Sequence, residues 1–88
     1  MNELDSLREK IDGIDACIAG LLQERLALAK EIAKIKKARG LEIFQKGREA
    51  EVLKNIANKV SAEEYRGYIL EIYETILKTS KLSQQEQP

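Results

Sequence analysis

From Leu4 to Ile35 the apolar residues recur at spacings of three and four: Leu4, Leu7, Ile11, Ile14, Ile18 and Leu21, then Leu28, Ile32 and Ile35. That is the period of one helix face, and no proline interrupts it before Gly40 supplies a stop. The spacing predicts a single helix from about Asn2 to Arg39, roughly 50 Å long at 1.5 Å per residue. A chain of 88 residues that commits so much of itself to one helix has few folds open to it. The register has one gap. Arg25 stands where an apolar residue belongs, between Leu21 and Leu28. A guanidinium in an apolar seam is expensive unless it meets an anion, either a carboxylate of the protein or an anionic ligand.

The remaining chain reads as two shorter helices. Leu41 to Gly47 breaks the period and is expected to be a loop. A second helix, Arg48 to about Lys59, gathers Val52, Leu53, Ile56 and Ala57 on one side. Ser61-Ala62-Glu63-Glu64 has the pattern of a capping box, with Ser61 as N-cap and Glu64 reaching back. It opens a third helix, from Ala62 to about Leu82, expected to bury Tyr65, Ile69, Ile72, Tyr73, Ile76 and Leu77. The polar tail from Gln85 to Pro88 is expected to fray. No repeat or second domain is visible, so residues 1–88 form one all-α domain.

Two short helices cannot cover a first helix about twice their length, so part of its seam is expected to pack on another chain. A symmetric homodimer is the simplest solution. Gly13 and Gly20, with Ala16 and Cys17 between them, form a small-residue stripe that suits close approach of another helix. A plain antiparallel coiled-coil dimer without chemistry fits the same pattern.

Composition narrows the function. Fifteen basic and fifteen acidic residues cancel, which argues against nonspecific binding to nucleic acid or a membrane surface. The single Cys17 permits no intrachain disulfide and suits a reducing compartment, as a small buried hydrophobe. No segment approaches the ~20 apolar residues of a membrane span. No apolar block of a signal peptide is seen, so a cytoplasmic protein is expected. There is no histidine, no cysteine pair, no carboxylate cluster at metal-ligand spacing and no glycine-rich phosphate loop. Metal chemistry and histidine-based nucleophilic catalysis are poorly supported, and no cofactor is implied.

What remains is a set of cations, Arg8, Arg25, Lys36 and Arg48, accompanied by Gln45, Glu49 and Gln84. Arg25 and Lys36 are eleven residues apart, about three helical turns or ~16 Å, so they share a face and could bracket a small anion. Arg8 lies ~25 Å from Arg25 along the same helix and could reach that site only from an antiparallel partner. On spacing alone, Arg8 and Lys36 also read as solvated charges. Arg48 and Glu49 also read as ordinary N-terminal helix residues, and Gln84 as part of a glutamine-rich tail.

Together these positions resemble the all-helical (AroQ-class) chorismate mutases. The matching pieces are Leu7-Arg8-Glu9-Lys10-Ile11-Asp12 with Ile14-Asp15, Leu22-Gln23-Glu24-Arg25 with Leu28-Ala29, and Ile32-Ala33-Lys34-Ile35-Lys36. Arg48-Glu49 followed by Val52-Leu53, and Leu82-Ser83-Gln84-Gln85, complete the pattern. The resemblance spans about residues 4 to 85. It implies an intertwined homodimer of three-helix subunits that rearranges chorismate to prephenate, on the way to phenylalanine and tyrosine. It further implies that Arg25 and the partner's Arg8 bind the substrate carboxylates, with Arg48 beside them as a further cation. Lys36 and Gln84 would donate to the ether oxygen whose bond breaks, and Glu49 would accept from the substrate hydroxyl.

The chain departs from the family in its loop. An aspartate often precedes the Arg-Glu pair, whereas this chain reads Phe44-Gln45-Lys46-Gly47-Arg48-Glu49. Gln45 can accept a hydrogen bond from the hydroxyl but brings no charge. Ser80 and Gln84 match with one residue fewer in the loop before the third helix. An isochorismate pyruvate lyase is the nearest enzymatic rival, and a noncatalytic dimerisation or regulatory module is the rival from another class. Lys36 together with Arg48-Glu49 favours the mutase. Retention of the whole polar set speaks against a degenerate module. Association with another shikimate-pathway enzyme stays open.

Overall fold

A computed structural model describes residues 2–45 and 47–86. Three helices follow one another: α1, Glu3–Ala38; α2, Arg48–Lys59; and α3, Glu63–Gln85. No strand occurs among the described residues. The expected all-α subunit, one long helix and two shorter ones, is what forms.

Local chemistry sets the helix ends. Asn2 is the extended N-cap of α1, and its side-chain oxygen accepts from the Asp5 N–H at 2.8 Å. At the other end Gly40 turns left-handed at φ 69°. Its N–H and that of Leu41 fold back onto the Lys37 and Lys36 carbonyls at 3.2 and 2.7 Å, the paired closure of a Schellman motif. Gly47, at φ 94°, is the N-cap of α2. L-residues with side chains rarely adopt that conformation, so a glycine bounds the connection at each end.

The start of α3 differs from the expectation. Its N-cap is Ala62, with no side-chain capping bond, so the Ser61–Glu64 capping box does not form. With Ala62 at the cap, Glu64 occupies the second helical position, one short of the position from which a box closes. The junction is fastened by Arg66 instead. Its Nε donates to the Ala57 carbonyl at 3.1 Å and its Nη2 to the Val60 carbonyl at 2.7 Å, binding the carbonyls where α2 ends. The helix also runs past Leu82 to Gln85. Of the tail expected to fray, Gln87 and Pro88 lie outside the described residues.

α3 packs on both α1 and α2. On α1 the covered positions are Ala33 and Ala29, one turn apart, whose methyl side chains leave room for a neighbouring helix. On α3 they are Leu77 and Ser80. The seam itself is left outside: all nine apolar members from Leu4 to Ile35 are 47–63% exposed in the subunit. Tyr65 and Ile72, expected in the core, are also exposed, as is Cys17. Nothing lies within 4 Å of a Cβ built on Gly13 or Gly20, so the close helix approach expected there does not occur within one subunit. The reason is geometric. α3 covers a different stripe of α1, marked by Leu22, Leu26, Ala29 and Ala33, and only in its C-terminal half. Among the described residues no helix is long and apolar enough to cross a membrane.

Candidate active site

A cavity of about 320 Å³ opens between the C-terminal half of α1, the α1–α2 connection, the first turns of α2 and the end of α3. Small-molecule sites run from about 300 to 1,000 Å³, so this is space for a small ligand. Arg25 and Lys36 both line it, as their three-turn spacing predicted. Arg48 and Glu49 enter from the start of α2, Gln45 from the connection, and Ser80 and Gln84 from α3.

Each polar side chain is held by something identifiable. The Lys36 ammonium donates to the Ile43 carbonyl at 2.8 Å, which ties the end of α1 to the connection. An ammonium has three donors, so two remain for a ligand. Gln84 donates its Nε2 to the Ala29 carbonyl at 3.0 Å and keeps a second N–H on the same nitrogen. Arg25 is half-buried, with its guanidinium carbon 5.8 Å from the centre of the Tyr73 ring. No carboxylate of a described residue pairs with it. The seam arginine therefore meets a ring face and an open cavity, and its N–H donors stay available. Arg48 pairs with Glu51, one turn on along α2, while still lining the cavity.

The balance of charge is one-sided. Among the described residues, Arg25, Lys36, Arg48 and Lys81 line the space against one carboxylate, Glu49. Such a cavity attracts anions, and Leu28, Ile32, Ile43, Val52 and Leu77 supply its apolar lining. Among the described residues no cluster of carboxylates, cysteines or histidines could hold a metal ion. Arg8 is not brought to the cavity. It sits exposed in the N-terminal half of α1, beyond the reach of α3.

The family described as chorismate mutase type II matches residues 7–85, which carry this whole arrangement. The chain belongs to that family. It is 43% identical over 67 residues to a bifunctional chorismate mutase/prephenate dehydratase of Aquifex aeolicus, a stretch that covers 76% of this chain and 18% of that protein. The chain thus spans less than a fifth of the length of the curated relatives it matches. A solved chorismate mutase (form II) from Thermus thermophilus superposes with a TM-score of 0.92 at 26% identity, covering 98% of each chain. A conserved hypothetical protein from Pyrococcus furiosus gives a TM-score of 0.76 at 43% identity, covering 96% of this chain and 97% of that one.

Within this chorismate mutase fold, seven of the eight site positions anticipated from the sequence converge on one cavity, Arg8 being the exception. Lys81 and Phe44 were not anticipated, yet both line it. The signal was available for Lys81, which precedes Gln84 by three residues and so shares its side of the helix. Phe44 lies in a loop, where periodicity says nothing.

Proposed function

We propose that this chain is a chorismate mutase, catalysing the rearrangement of chorismate to prephenate as a cytoplasmic homodimer. The observation that carries the reading is the convergence of Arg25, Lys36, Arg48, Glu49 and Gln84 from three helices on one small cavity. Membership of the family supports it, as does the mutase activity named for the Aquifex aeolicus relative.

The chemistry fits the residues. A pericyclic rearrangement needs no nucleophile, general base or cofactor. It needs a flexible dianion folded so that the carbons to be joined lie close, which is a problem of orientation. Arginines suit this task because the guanidinium fork grips a carboxylate through two parallel N–H bonds. Arg25 holds one carboxylate from within the subunit, with Arg48 as a further cation nearby. As the C–O bond breaks, negative charge grows on the ether oxygen. The free donors of Lys36 and Gln84 then bind the transition state more strongly than the substrate. Glu49 accepts from the substrate hydroxyl, assisted by Gln45, and the buried Ser80 adds a hydroxyl from the α3 wall. A millionfold acceleration requires about 8 kcal/mol, divided between orientation and this charge stabilisation.

The family likeness assigns the second carboxylate to the partner's Arg8. An apolar stripe along a 36-residue helix exceeds what monomer surfaces usually expose, and pairing two such helices antiparallel covers it. The same pairing carries Arg8 of one chain toward Arg25 of the other. The test is to incubate the purified protein with chorismate and, separately, with isochorismate, and to identify the products. Prephenate from chorismate is expected. Release of pyruvate from isochorismate, with chorismate untouched, would assign the chain to the lyase instead.

A further inference from the structure

Lys81 is a cation of the cavity that the proposed reaction does not use. Its ammonium stands 4.2 Å from the centre of the Phe44 ring, well within cation–π range. Lys81 belongs to α3, next to Ser80 and one turn before Gln84, whereas Phe44 belongs to the connection and is followed directly by Gln45. The contact therefore joins the catalytic end of α3 to the segment that delivers Gln45, Arg48 and Glu49. Among the described residues Lys36 also reaches this segment, donating to the Ile43 carbonyl on the residue next to Phe44.

We propose that Lys81 and Phe44 form a latch that positions the α1–α2 connection as the wall of the cavity. In this role Lys81 is a positioning residue and not a substrate ligand. The ring face directs the ammonium onto the connection, and the latch sets substrate affinity by keeping Gln45 and the start of α2 in place. The effect on substrate rests on the mutase reading, but the effect on the connection does not.

The experiment therefore has two readouts on the full chain. The first is the rate of trypsin cleavage after Arg39, at the entrance to the connection. Lys81→Met keeps the apolar stem without the charge, and Phe44→Leu keeps an apolar side chain without the ring. Each is expected to speed cleavage several-fold, and the double variant no more than either alone, because both remove one contact. The second readout is turnover of chorismate. Each single change is expected to raise KM about three- to fivefold with kcat within about twofold, whereas Phe44→Tyr and Lys81→Arg, which keep a cation over a ring, stay near wild type. Unchanged cleavage in both single variants would overturn the latch. So would multiplied effects in the double variant, which would mean that Lys81 meets substrate independently of Phe44. If the unaltered protein turns over no chorismate, the mutase reading fails while the cleavage rates still decide the latch.

Discussion

Gln84 of α3 donates its amide to the main-chain carbonyl of Ala29 on α1, a bond of 3.0 Å between residues 55 apart in the chain. The same bond ties α3 to α1 and turns the amide toward the cavity. A carboxylate at this position would be nearly isosteric but could not donate while ionised. With an unperturbed glutamate pKa of about 4.3, the Gln84→Glu side chain is ionised at neutral pH, and it faces both the Ala29 carbonyl and the growing charge of the ether oxygen. Its activity relative to wild type is expected to be low at about pH 7.5 and to recover progressively as pH is lowered toward about 5, as the protonated fraction that carries an O–H donor grows. A ratio that does not change with pH would remove Gln84 from the transition-state contacts.

Lys36 is expected to act mainly on kcat. If its free N–H donors meet the ether oxygen as charge develops, Lys36→Ala lowers turnover by roughly 10²–10³, about 3–4 kcal/mol, as for other lost oxyanion donors. The change in KM should be smaller, because an ether oxygen is a weak acceptor in the ground state. Lys36→Arg should not restore the rate, since a planar fork cannot place one donor at the same point. Steady-state kinetics checks all three. A raised KM with normal kcat would make Lys36 a carboxylate anchor.

Arg25→Leu is expected to separate function from stability. The substitution loses a contact with Tyr73 worth about 0.5–1 kcal/mol and gains an apolar side chain in the seam, worth about 1.5–3 kcal/mol if fully buried. Where the proposed partner helix covers position 25 the gain from burial outweighs the lost ring contact, and the change removes a cation that has no carboxylate partner among the described residues. Turnover should be abolished while the thermal midpoint without substrate stays level or rises. A markedly lower midpoint would make Arg25 a structural residue.

Much of this was legible in the residues themselves, and the rest fails for identifiable reasons. The bounds of α1 and α2 follow from Asn2, Gly40 and Gly47, whose local chemistry leaves the backbone little choice. Ser61 misleads because the helix begins one residue later than its capping pattern implies, and the junction is held by the Arg66 side chain, whose bonds to Ala57 and Val60 follow no capping pattern. Tyr65 and Ile72 have the period of a core face, but periodicity cannot say whether the covering surface comes from the same chain. In the site, Arg25 announced itself by breaking a pattern and Lys36 by sharing its register. Gln84, Glu49 and Ser80 came from family likeness, since nothing in their spacing marks them. Phe44 and Lys81 meet through a ring face between a loop and a helix, a contact that leaves no period at all.

The central claim is that two copies of the long helix complete one another's site, and subunit mixing tests it most directly. Arg8→Ala and Arg25→Ala proteins are each expected to be inactive alone. After unfolding and refolding together in equal amounts, half of the dimers should be mixed, and each of these should hold one site with both arginines intact. The mixture is then expected to recover about a quarter of the wild-type rate of prephenate formation, as random pairing of two symmetric halves requires. No recovery, once exchange of subunits has been verified by mass, would contradict a site built from Arg25 of one chain and Arg8 of the other.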